Sequence, residues 1–276
     1  MTAKTKESTD VALKNNTSNL PAEFLADMTQ DAGMGVSTDP NEVGIPFLYI
    51  LQDLSPQVKK RDPAYIDGAE VGDIYNNISK EVISAARGID FIPCGFESAQ
   101  VEWKPDRGGF AGKHPHDTPL RSQVKQTQVG DKMVPMLPNG NVLTETKYHY
   151  GFYRASATET EAAGMWEPCV IGMASSMIKN SREFEGMKKR VLIPGTDKIA
   201  PSFSTVYNFS TVVVKKNNNE WFVWEIKPLR WVDGNEYNKG RDFAQAIIAG
   251  SVKTSEAATD GGVAEGQYTN LDEEVI

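Results

Sequence analysis

Cysteine is scarce in this 276-residue sequence: Cys94 and Cys169 are the only two, and they lie far apart. Two isolated thiols exclude a disulfide framework and a zinc module, and reduced, buried residues are expected. Histidine is nearly as scarce, with His114, His116 and His149 alone. No apolar run approaches the ~18 residues that a membrane span needs. The opening MTAKTKESTDVALKNN contains no apolar stretch of the kind a secretory leader carries. A cytoplasmic protein is therefore expected. Catalytic signatures are missing too. There is no Gly-rich phosphate loop followed by Lys-Ser/Thr, no nucleophile elbow and no dinucleotide fingerprint. His114-Pro115-His116 lacks the spacing and the further ligands of a helical zinc site. The chain is read as non-enzymatic, with no metal or organic cofactor.

What is present is a divided charge. The formal net charge is −8, yet residues 1–44 hold three Lys against seven Asp/Glu. Residues 251–276 hold one Lys against six Asp/Glu, which leaves residues 45–250 at +1. Inside that body, residues 179–230 carry ten Lys/Arg and five Asp/Glu, and residues 101–154 carry eight and five. The acidity belongs to the ends, so it does not argue against a nucleic-acid partner for the middle. Ordinary solvated faces are the plainer explanation of such stretches.

The chain divides accordingly into a flexible acidic N-terminal arm (1–44), a folded domain (45–250) and a disordered acidic C-terminal tail (251–276). A short helix is possible at Pro21–Met28. Within the domain, Ile45–Leu51 is a continuous apolar run that suits a buried strand. Gly72–Ile78, Ile89–Trp103, Leu143–Ala155 and Trp166–Ala174 also read as strands. Pro93 and Gly95 mark a bulge or break in the second of these. Asn139-Gly140 signals a tight turn, and 104–119 reads as a loop. Ser202–Lys216 and Glu220–Lys227 pair as a hairpin. Helices are expected over Ser175–Arg190, with its Ser as a cap, and over Glu236–Ala249. Many short strands and few helices predict a mainly β fold. The first choice is an OB-like Greek-key barrel with long loops, one or two helices and disordered termini.

Aromatic and basic residues neighbour one another along these strands. Tyr148, Tyr150 and Phe152 fall on one strand face, with His149 and Tyr153 on the other. Exposed rings would stack bases, and adjacent cations would neutralise phosphates. Stacking is assigned to exposed members of Trp103, Phe110, Tyr148, Tyr150, Tyr153, Trp221 and Trp224. Phosphate contacts are assigned to Lys104, Arg107, Lys113, Arg121, Lys147, Arg154, Lys179, Arg182, Lys188, Lys189 and Arg190. At least half of the rings must instead build the core. One enzymatic pattern competes: Glu225-Ile226-Lys227 at a strand end, with Asp197 upstream, has the acid-x-Lys order of a metal-dependent nuclease. A surface Glu and Lys on alternate strand positions explains the same residues. The tail ends in Asp272, Glu273, Glu274, Val275 and Ile276, an acidic peptide with an apolar tip that suits a basic rim and a pocket.

Four segments carry a resemblance: IPFLYILQDLSPQV (45–58), YIDGAEVGDIYNNIS (65–79), IDFIPCGFESAQVEWK (89–104) and ASSMIKNSREFEGMKKR (174–190). In these the chain resembles bacteriophage single-stranded DNA-binding proteins, accessory to replication and recombination. The resemblance implies an OB-type barrel in the infected bacterial host's cytoplasm. It also implies an acidic C-terminal tip that recruits polymerase, helicase or nuclease, or competes with DNA. This tip ends in Val275-Ile276 where such proteins end in Pro-Phe. A β domain that binds other proteins, in the virion or elsewhere, is the rival expectation.

Overall fold

The computed structural model describes residues 44–252, except 106, 107, 131, 217 and 218, together with Pro21, Phe24, Asp27, Met28, Gln30, Asp31 and Met34. Two compact units divide the chain at residues 43 and 44. In the first, Phe24, Asp27, Met28 and Gln30 are helical, within or just beyond the segment expected to form a short helix. Of the expected acidic tail (251–276), all but Ser251 and Val252 lies outside the described residues, as does most of the expected N-terminal arm.

The second unit is built on one sheet. Its strands are β1 (Phe47–Ile50), β2 (Ile74–Asn76), β3 (Val82–Ile83), β4 (Ile89–Trp103), β5 (Phe110–Pro115), β6 (Lys125–Val129), β7 (Lys132–Met136), β8 (Val142–Ala155), β9 (Glu167–Ala174), β10 (Thr205–Lys216) and β11 (Asn219–Trp231). They run in the order β11-β10-β4-β8-β9-β1-β2-β3, with β5 added to β4 and the β6–β7 hairpin joined to β8 through β7. Every described pairing is antiparallel except β1 with β9. The sheet curls into a half-barrel, and two helices, α1 (Ile178–Lys189) and α2 (Gly234–Ile248), complete a mainly β fold of the expected class. One expected loop is a strand instead. Residues 110–115 pair with β4 from Ala99 to Trp103, because the glycines and prolines around them bend the chain without removing that edge's hydrogen bonds.

The sheet buries both faces. One core gathers Leu48, Ile50, Phe91, Tyr153, Ile171 and Met173 with Phe184 of α1. The other gathers Phe47, Ile92, Val101, Tyr148, Tyr150 and Val170 with Phe243 and Ala244 of α2. The long ribbon of β4 and β8 runs through both. Its register shifts at the foreseen position: Pro93 opposes Gly151 and Gly95 opposes Tyr150, so Cys94 has no opposite partner. Before the bulge the odd-numbered residues Ile89 and Phe91 face α1. After it the odd-numbered Ala99 and Val101 face α2. Phe96, Ser98, Gln100 and Glu102 are thereby turned to the α1 side. Gly151 is required at the crossing, since a Cβ there would collide with the Ile92 carbonyl and the Phe91 ring.

α2 is held by a charged network. Asp233 caps it by accepting the Glu236 backbone N–H at 2.8 Å, and the Glu236 carboxylate accepts the Asp233 N–H at 2.9 Å. Arg230 donates to both oxygens of Glu236 at 2.7 Å, and the Trp166 indole N–H donates at 2.9 Å. The Arg230 hydrogen bonds hold the Glu236 carboxyl down at about 2, against the upward pull of burial. A carboxyl with a depressed folded pKa stabilises above its unfolded value and loses that contribution as pH falls. Glu236→Gln is therefore expected to lower stability by ~2 kcal/mol near neutral pH. Urea unfolding should show the gap between the two proteins closing as pH falls from the ordinary carboxyl value of 4.5 toward 2.

Candidate nucleic-acid interface

Most of the expected stacking rings belong to the cores. Tyr148, Tyr150, Tyr153, Trp221 and Trp224 are buried, Trp224 to 1% exposure. This corrects their assignment to base stacking: each points into a side of the sheet that a helix or another strand covers. Trp103 and Phe110 are half-buried and meet edge-on, with ring centroids 6.0 Å apart, at the margin of the α2-side core.

The expected phosphate ligands separate as well. Lys113 is on the α2 side, where it donates to Glu97 at 2.8 Å and lies 4.5 Å from the Tyr148 ring. Arg154, also there, donates to Asp90 at 3.1 Å and covers the Trp166 ring at 4.4 Å. Both are engaged in the structure of that face. Lys104 is exposed near Trp103. Arg107 and the tip Asp272–Ile276 lie outside the described residues.

The remaining cations converge on the α1 side. α1 is anchored by Phe184, whose ring packs against Tyr207 at 4.9 Å and Phe209 at 5.2 Å. The Asn180 amide donates to the Trp224 carbonyl at 2.7 Å. With those residues facing inward, Lys179, Arg182, Lys189 and Arg190 are exposed. At 100° per residue they share a sector of about 100° on the outer surface of the helix. Phe96, 42% exposed, meets this helix at Lys188, outside the stripe. The Lys188 ammonium stands 5.7 Å from the Phe96 ring centre and the Lys147 ammonium 6.0 Å.

A polar cluster borders the ring. The Lys147 ammonium donates to Ser98 Oγ at 2.8 Å and is 2.6 Å from a Glu145 oxygen. His116 Nδ1 is 2.9 Å from Ser98 Oγ and 3.6 Å from Glu145. Arg121 donates to the His116 carbonyl at 3.3 Å. Burial would raise the Glu145 carboxyl, but the hydrogen bond and charge of Lys147, with the charges of His116 and Arg182, hold it below the usual range. Sequence reasoning missed Phe96, Ser98 and His116 as members of one surface. All three of the chain's histidines in fact gather on the α1 side of the ribbon. His114 pairs with Glu102 at 2.8 Å, and His149 lies beneath Phe96 with ring centres 5.2 Å apart. The signal that could have found Phe96 was the bulge, which reverses the strand's alternation.

A family model described as "Pam3 phage gp34-like protein" matches residues 14–253. The chain belongs to the Pam3 phage gp34-like family. It is thus a bacteriophage protein. No curated protein and no solved structure matches it.

In this family member the residues of the competing nuclease pattern form a surface pair. Lys227 donates to Glu225 at 2.8 Å, and the Ser210 hydroxyl donates to the same carboxylate oxygen at 3.3 Å. Among the described residues no group of three or more His, Cys, Asp or Glu is placed to hold a metal ion. No described helix is long and apolar enough to cross a membrane.

His149 connects the surface to the fold. It is fully buried, with Nε2 2.8 Å from the Ser181 hydroxyl of α1. Burial pushes its pKa well below the ordinary 6.5, and the charges of Lys188 and Lys147 push the same way. The unfolded chain therefore takes up a proton below pH 6.5 that the folded chain refuses. Stability should fall by up to ~1.4 kcal/mol per pH unit from this residue alone as pH drops below that value. Thermal melts between pH 7 and 5 should show a shallower pH slope for His149→Gln than for the parent. Equal slopes would contradict the assignment.

Proposed function

We propose that this phage protein binds single-stranded DNA on the α1 side of the sheet, without sequence preference and without catalysing a reaction. One observation supports the reading above all: an exposed ring, Phe96, with two ammonium groups over it, next to a helix whose outer face carries four exposed cations. A base stacks on such a ring in any sequence context, and the stripe follows the phosphates. Lys147, Arg182, Lys189 and Arg190 supply the charge in this account, and Phe96 takes the stacking role that the buried tyrosines and tryptophans cannot. The acidic ends then keep the chain from binding polyanions indiscriminately, and coating of exposed strands during phage replication or recombination is the role that follows. Recruitment of replication proteins would fall to the C-terminal tip.

A protein-docking β domain is the second reading. Its support is the β6–β7 hairpin, in which all five residues of β6 are exposed. Two-stranded hairpins of this kind are marginal by themselves and gain from a partner.

Fluorescence anisotropy with a labelled thymidine oligonucleotide separates the two. Binding at low salt is expected, weaker by ~1–3 kcal/mol in Phe96→Ala. The double variant Arg182→Glu/Lys189→Glu should lower affinity and flatten the slope of log affinity against log salt by about 0.7 for each phosphate no longer neutralised. No anisotropy change with any strand at low salt would sink the DNA reading and favour the docking domain.

A further inference from the structure

Phe96 is an exposed aromatic ring on the α1 side, with the Lys188 and Lys147 ammonium groups over it at 5.7 and 6.0 Å. Tyr148, Tyr150, Tyr153, Trp221 and Trp224, which could have extended it into a track of stacked bases, are sealed in the cores. A groove that follows a long strand repeats its rings and charges along the path. Here several donors instead meet at Lys147, which lies over the Phe96 ring. Ser98 Oγ receives the Lys147 ammonium at 2.8 Å and lies 2.9 Å from His116 Nδ1. Arg121 donates to the His116 carbonyl at 3.3 Å. A hydroxyl, an imidazole, an ammonium and a guanidinium group thus adjoin one another, with one carboxylate among them.

That inventory fits a doubly charged phosphomonoester better than a phosphodiester. A terminal phosphate has three acceptor oxygens free and about twice the charge, so it rewards several convergent donors, whereas an internal diester presents two oxygens to a passing groove. Glu145 already occupies part of this donor set, with Lys147 at 2.6 Å and His116 at 3.6 Å. The protein's own carboxylate marks where an anion is held and would compete with an incoming one. We infer that the Ser98–His116–Lys147 cluster is a subsite for the terminal phosphate of a nucleic-acid strand, with the terminal base stacked on Phe96. This rests on the strand-binding reading above and narrows it from coating to recognition of ends.

The test compares thymidine oligonucleotides of one length carrying a 5′-phosphate, a 3′-phosphate or hydroxyls at both ends, by fluorescence anisotropy with the full chain. One phosphorylated strand is expected to bind about tenfold more tightly than the hydroxyl-ended strand, and which of the two does so identifies the end. Ser98→Ala should shrink that ratio to about threefold, and Glu145→Gln, which removes the internal competitor, should raise it above tenfold. The two variants move the ratio in opposite directions, which a general loss of folding cannot do. Equal binding of all three strands overturns the end subsite while leaving strand binding in place. Binding of none overturns the strand-binding reading, and this inference with it.

Discussion

β4 cannot keep one alternation of side chains along its length, and the rest of the surface depends on where it changes. At Cys94 the strand gains one residue relative to β8, with Gly151 allowing the backbones to approach. Ile89 and Phe91 can then fill the α1-side core while Ala99 and Val101 fill the α2-side core. An uninterrupted strand would have sent Ala99 and Val101 to the α1 side and Ser98, Gln100 and Glu102 into the apolar layer beneath Tyr148 and Tyr150. Uncompensated burial of such groups costs several kcal/mol each. The bulge avoids that cost, and in doing so it brings Phe96 and Ser98 beside Lys147.

The second dependence is the seating of α1. Phe184 enters a cluster of Phe91, Tyr207 and Phe209, and Ser181 meets the buried His149. These inward contacts free the outer face of the helix from any packing role. Lys179, Arg182, Lys189 and Arg190 can then stand exposed together, with two of them at the end where the helix dipole favours cations. Repulsion among them is tolerated because the inner face is well anchored. Lys188 is the exception, half-buried and paired with Glu185 at 2.5 Å. The Glu236 network anchors α2 in the corresponding way, where capping box, arginine fork and indole meet on one carboxylate.

Much of the fold was legible in the chain. The buried run at Ile45–Leu51, the bulge between Pro93 and Gly95, the turn at Asn139-Gly140 and the final hairpin are local patterns, and local patterns survive folding. The tyrosine alternation in β8 was readable for the same reason. Ser175 departs from the cap expected of it: it adopts a positive φ and opens a short 3-10 turn, and α1 begins after Met177 without a side-chain cap. The Asp233-x-x-Glu236 capping box has a sequence signature of its own, although the expected helix there began only at Glu236.

Composition and spacing by themselves determined that the chain makes a mainly β domain with two short helices, because alternation and turn chemistry are properties of neighbouring residues. They also determined that the basic charge lies between two acidic ends. Only the tertiary structure decided which rings remain open to solvent. A strand has two faces, and which of them is covered depends on elements distant in sequence: α2 seals Tyr148 and Tyr150 into one core, and the β10–β11 hairpin folds Trp221 and Trp224 into the other. Phe96, in a strand whose phase is reset two residues earlier, is left outside.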